Sequence, residues 1–178
     1  MTQNKKPNFL LIITDQHRAD HLGCYGHPVI KTPHIDTIAA RGRMFEKFYV
    51  ACAICQPNRS TLMTGRMPSL HGVKHNGVPL DRRFNTFVDL MRVQGYKTAL
   101  IGKSHLMNMT SNQARYGKPE PENTKKPVPS NFKLAVPVDH ENSYYDQEHP
   151  KNWGEKSNFE VELPFYGFNH VDLQTGHA

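Results

Sequence analysis

The chain has 178 residues, 37% of them hydrophobic, with 22 Lys and Arg against 16 Asp and Glu and a formal net charge of +6. That length allows a real hydrophobic core, and a mean hydropathy of −0.65 is polar without being the composition of a disordered chain. The basic residues are scattered in runs no longer than two, which argues against a nucleic-acid stripe, and no apolar run approaches the ~20 residues of a membrane span.

The first apolar run, residues 8–14, is strand-length and ends in Thr14-Asp15, too short for a signal peptide. It is expected to be a buried strand of a parallel sheet covered on both faces. Thr32-Pro33 predicts a helix start, with Thr32 as cap and Pro33 in the first helical position, and Gly42 predicts its stop. Residues 44–51 have the aromatic and branched content of a second strand. Residues 86–92 predict a helix with Phe87, Leu90 and Met91 on one face, ending near Gly95, and residues 96–101 a strand closed by Gly102. Strand and helix alternating in this way predict an α/β fold with a largely parallel sheet flanked by helices. From about residue 109 to 158 the chain is rich in Pro, Asn, Lys and Glu, an irregular insertion. Residues 165–173 look like a return to the sheet. Three cysteines, Cys24, Cys52 and Cys55, do not make a disulfide framework, and they suit a reducing, cytoplasmic setting.

Three places could carry chemistry. Asp15 and Gln16 follow the first expected strand, at the carboxyl end where open parallel sheets bind ligands, and they offer hard oxygen donors for a divalent cation. Cys52-Ala-Ile-Cys55 has the spacing of half a zinc site or a redox pair, yet no second pair of ligands and no thioredoxin-like context accompanies it. Pro57 and Gly65 instead frame a helix that begins at Cys55. This puts Cys55 beside the helix N-terminus, which favours anions, with Arg59 four residues on. Lys103 and His105 follow the expected strand 96–101. Taken alone, each of these has an ordinary reading: a loop cap, a buried thiol, a solvated base.

The stretch from Cys55 to Arg66, C-x-P-x-R followed by Thr64-Gly65-Arg66, resembles the signature of the type I sulfatases of the alkaline phosphatase superfamily. Three flanking blocks agree in order. Asp15-Gln16 with Arg18-Ala19-Asp20 and Gly23-Cys24-Tyr25-Gly26 resembles the family's first metal-ligand segment. Lys31-Thr32-Pro33-His34-Ile35-Asp36 resembles its Thr-Pro-x-x-Asp helix start, and Gly102-Lys103-Ser104-His105-Leu106 resembles its Gly-Lys-x-His-Leu block.

The resemblance implies hydrolysis of sulfuric esters by a chain that is the N-terminal part of the catalytic domain. It implies that Cys55 is oxidised to formylglycine by a formylglycine-generating enzyme and hydrated to a geminal diol. One hydroxyl of the diol attacks sulfur and displaces the alcohol. Asp15, Gln16 and residue 55 would be ligands of a divalent metal, Ca²⁺ first, with Mn²⁺ or Mg²⁺ as alternatives. Arg59 and Lys103 would neutralise charge, His105 would act as base in expelling sulfate, and His177 would meet the substrate. The substrate expected is a small anionic sulfate or phosphonate ester, with neither nucleic acid nor membrane as partner. Gln16, where many sulfatases have a second aspartate, is similar to phosphonate monoester hydrolases, so phosphonate monoester or phosphodiester hydrolysis is the alternative. A second alternative is a catalytically silent fragment or binding module, since the family supplies further ligands, an Asp with Asn or His, from a later segment.

Overall fold

The computed structural model describes residues 6–110, 147–154 and 159–175. The chain divides into two compact units, Met1–Tyr49 and Val50–Ala178.

In the first unit, two short 3-10 turns, Ala19–His21 and Gly23–Tyr25, precede helix α1, Pro33–Arg41. The helix starts and stops where Thr32-Pro33 and Gly42 predict. Thr32 occupies the cap position but makes no cap hydrogen bond to the helix. Its hydroxyl accepts from the Gly23 amide at 2.8 Å and donates to Asp36 at 2.8 Å. Asp36 also takes the Cys24 amide at 2.7 Å, so these side chains tie the turn to α1. The Thr32 hydroxyl foremost, helped by that amide, holds the Asp36 carboxyl below the usual carboxylate range.

The expected strands at 8–14 and 44–51 are not formed. A strand is completed by hydrogen bonds from a neighbour, and among the described residues neither segment has a strand beside it. Nor is the first buried: Leu10 is 86% exposed and Ile12 70%.

The second unit holds the core. Helix α2, Cys55–Thr64, packs against the one-turn helix α3, Pro68–His71, and against α4, Phe87–Val93. α4 begins with a reciprocal cap: the Thr86 hydroxyl accepts from the Asp89 amide at 3.1 Å, and the Asp89 carboxylate accepts from the Thr86 amide at 3.0 Å. The face it buries is not the one expected. Val88 is buried, whereas Phe87 and Leu90 are exposed. Only the Val88 side meets the core, because the Thr86 hydroxyl also donates to the Tyr166 carbonyl and pins that side against the 165–168 turn.

Strand β1, Ala99–Gly102, pairs in parallel with β2, His170–Leu173, in the register Ala99 to His170 through Gly102 to Leu173. The α/β class with parallel pairing is therefore as expected, and the return to the sheet at 165–173 narrows to β2. The core joins Met63 of α2 and Val88 of α4 to Val73, Val78, Leu80, Phe84, Leu106, Met107, Phe165, Tyr166 and Phe168. Gly167 (φ +92°) makes close packing possible there. A Cβ on it would lie 2.5 Å from the Asp89 nitrogen and 2.9 Å from the Val88 carbonyl carbon. Of the Pro-rich stretch, residues 111–146 and 155–158 lie outside the described residues. Between them a 3-10 turn, Pro150–Trp153, follows the buried pair Gln147 and Glu148.

Candidate active site

Cys55 is the first residue of α2, half-buried, with Gly65 (φ +66°) ending the helix as Pro57 and Gly65 predict. The helix start is only partly open to an anion, because the Gln56 amide already donates to the Asn76 side chain at 3.1 Å.

Gln56 anchors this helix start. Its side chain is wholly buried. The amide nitrogen donates to the Val78 carbonyl at 2.6 Å and to the Leu106 carbonyl at 3.4 Å, and the amide oxygen accepts from the Gly77 nitrogen at 2.7 Å. One turn on, Arg59 Nη1 donates to the Lys103 carbonyl at 2.7 Å. The helix that carries the nucleophile candidate is thus joined twice, across 44 and 50 residues of sequence, to the segment that carries Lys103 and His105. Neither bond could be assigned from motif spacing. A polar residue between Cys55 and Pro57 was the only trace of Gln56's role.

The second segment leaves the carboxyl end of β1 through Gly102 (φ +99°). Lys103 is half-buried, Ser104 and His105 are buried, and His105 has φ +52°. A left-handed backbone costs a non-glycine residue roughly 1–2 kcal/mol, so surrounding contacts must hold it. Among the described residues the non-glycine positions with positive φ are Gln16, His105 and Tyr166. Two of these three are candidate site residues. The contacts that hold His105 come from Glu148, whose carboxylate accepts the amides of His105 and Leu106 at 2.8 Å each and of Met107 at 2.6 Å. Burial pushes the Glu148 carboxyl up to about 7, against the pull of these amides.

Behind α2, the buried His71 ring accepts the Val73 amide at Nδ1 (3.1 Å) and pairs through Nε2 with the Thr61 hydroxyl at 3.0 Å. With Nδ1 as acceptor the ring is neutral, its proton on Nε2. Burial lowers its pKa to about 4.

In the first unit, Asp15 and Gln16 end the extended segment, both exposed, with Gln16 at φ +52° turning the chain away. A carboxylate and an amide oxygen side by side are the donor types a hard cation takes, so the pair fits a divalent metal in kind. In number it falls short of the ~6–8 oxygens around Ca²⁺. Among the described residues there is no cluster of three or more His, Cys, Asp or Glu able to hold a metal. Gln16 also lines an open hollow with His17, Arg18, His21, Ile30 and Thr32. His177 lies outside the described residues.

Comparison with known proteins agrees with the motif blocks. The Sulfatase family profile matches residues 7–159. Bovine (Bos taurus) arylsulfatase A is 41% identical over 108 residues, 56% of this chain and 21% of that protein. Among solved structures, the phosphonate monoester hydrolase of Agrobacterium radiobacter superposes with a TM-score of 0.60 at 31% identity, covering 97% of this chain and 27% of that one. A protein solved in complex with its substrate D-glucosamine-2-N,6-O-disulfate superposes with a TM-score of 0.57 at 36% identity, covering 58% of this chain and 21% of that one. The chain thus spans about a fifth to a quarter of the length of these relatives, within an alkaline-phosphatase-like α/β fold. On the family match over most of its length, the chain belongs to the sulfatase family.

Proposed function

We propose that this chain supplies the nucleophile-bearing part of a sulfuric ester hydrolase, the N-terminal part of the catalytic domain, with formylglycine at position 55. The observation that carries this reading is the double tie of α2 to the 103–106 segment, through Arg59 to the Lys103 carbonyl and Gln56 to the Leu106 carbonyl. It fixes the backbones of Cys55, Lys103 and His105 relative to one another within one packed unit.

A hydrated aldehyde at residue 55 would supply a nucleophilic oxygen that a thiol does not, and a formylglycine-generating enzyme would be the maturation partner. The helix dipole and the Arg59 guanidinium favour negative charge at the start of α2. The Lys103 ammonium, next to the strand end, binds and orients the anionic ester. The His105 imidazole holds or moves the proton of a residue-55 hydroxyl. Asp15 and Gln16 would hold a divalent metal, Ca²⁺ first, which when bound polarises oxygen and neutralises charge. His177 is assigned to the substrate side.

Gln16 and the 97% coverage of this chain by the phosphonate monoester hydrolase superposition favour a second reading, in which the same residues act on phosphonate monoesters. A metal–amide pair carries less negative charge than a metal–dicarboxylate pair, which changes the field the site presents to the ester. Steady-state kinetics of the intact enzyme on aryl sulfates and aryl phosphonate monoesters separate the two. A higher kcat/KM on sulfates supports the first reading, a higher value on phosphonates the second. No turnover of either by protein bearing formylglycine would contradict both.

A further inference from the structure

We infer that Glu148 is the positioning residue for His105, a buried carboxylate that fixes the backbone from which the imidazole projects. Its two oxygens take three consecutive amides, Oε1 that of His105 and Oε2 those of Leu106 and Met107, at 2.6–2.8 Å. Consecutive amides converging on one anion form a concave backbone nest, a shape that normally cradles a ligand. Here the chain fills the nest with its own side chain, from a residue 41–43 positions further on.

The geometry suits positioning in two respects. His105 has φ +52°, a conformation a β-carbon disfavours, and the bond to its own nitrogen is the contact that resists relaxation to negative φ. Glu148 and His105 are both wholly buried, so water does not replace the carboxylate. The contact is to the backbone of His105, so Glu148 takes no part in proton transfer. Leu106, held by the same carboxylate, is also the residue whose carbonyl accepts from Gln56. The clamp therefore sets the spacing between His105 and the start of α2 as well as the rotation of His105.

A carboxylate is needed because three donors converge. An amide in its place offers one acceptor oxygen and turns an NH₂ group towards N–H groups. Alanine leaves three buried donors without acceptors and opens a cavity, so it is expected to damage folding. Glu148→Gln and Glu148→Asp are the informative variants.

The inference rests on His105 acting as the base, and two measurements separate its failure from a failure of that reading. Amide hydrogen exchange on the full chain above pH 7, where Glu148 is ionised, should show residues 105–107 exchanging roughly tenfold faster in Glu148→Gln than in the wild type, the scale of one lost charge-assisted hydrogen bond, with the α4 amides unchanged. Glu148→Asp, which keeps the charge, should retain part of the protection. In the active enzyme, Glu148→Gln should lower kcat about tenfold with KM within about twofold, the pattern of a misplaced proton-transfer group. Unchanged exchange at 105–107, loosening of α4 to the same extent, or an unaltered kcat despite loosened amides would each overturn the positioning role. If the wild type turns over no ester, the catalytic reading fails and exchange alone decides whether the clamp exists.

Discussion

The two units treat their candidate site residues differently. Among the described residues of Val50–Ala178, twelve hydrophobic side chains are buried, and Cys55, Arg59, Lys103 and His105 stand on backbone fastened by Gln56, by Arg59 itself and by Glu148. In Met1–Tyr49 no described residue is buried, and Asp15 and Gln16 follow an exposed extended segment. The groups proposed to handle charge and protons have their geometry from long-range hydrogen bonds within one core, whereas the proposed cation ligands have theirs from a local turn.

The largest effect expected tests the packed side. Cys55→Ala should lower kcat of the intact enzyme by roughly 10⁴-fold or more, as removal of a nucleophile does. Cys24→Ala and Cys52→Ala should change stability more than turnover.

Two variants probe the core that holds that side. Gly167→Ala should cost about 2–4 kcal/mol in denaturant unfolding, because the added Cβ meets α4 backbone at 2.5 Å and the position has φ +92°. Gln56→Ala should cost about 2–3 kcal/mol by orphaning the buried Gly77 amide and Val78 carbonyl. In the first unit, Asp36→Ala should loosen the turn it ties to α1, read as faster exchange of the Cys24 amide.

The pH dependence of that core follows from His71. Its folded pKa is lowered from 6.5 to about 4, so the unfolded chain binds the proton more readily. Stability is then fully present above pH 6.5 and falls as pH drops towards 4, by roughly 2–3 kcal/mol. Glu148 has the opposite sign. Its folded pKa is raised from 4.5 to about 7, so its contribution is fully present below 4.5 and lost as pH rises through 7. Unfolding followed against pH should show His71→Gln flattening the acid side and Glu148→Gln the neutral side.

The smallest effect is expected in the first unit. Calorimetric titration of residues 1–178 with Ca²⁺, Mg²⁺ or Mn²⁺ should give dissociation constants of about 10⁻³ M or weaker, since Asp15 and Gln16 offer few of the oxygens a tight site needs. Sub-micromolar binding would mean that the cation ligands have been misassigned.

Helix boundaries were legible because their signals are local. Thr32-Pro33 with Gly42 mark the ends of α1, and Pro57 with Gly65 those of α2. The strands expected at 8–14 and 44–51 were read from apolar content, but a strand needs a partner, and among the described residues only β1 and β2 have one. The candidate site residues were visible as motif blocks. The residues that hold them were not: Gln56 and Glu148 are polar, and their burial depends on partners up to 50 residues away. No spacing rule distinguishes such a buried carboxylate from a solvated one in a Pro-rich stretch.

Peptide mass measurement tests most directly the formylglycine proposed at residue 55. Protein made in a host that contains the maturation enzyme should yield a tryptic peptide 48–59 about 18 Da lighter than its sequence requires, the difference between thiol and aldehyde. Fragmentation should place the loss at Cys55 and leave Cys52 intact. Fully active enzyme with an unmodified Cys55 would contradict the account.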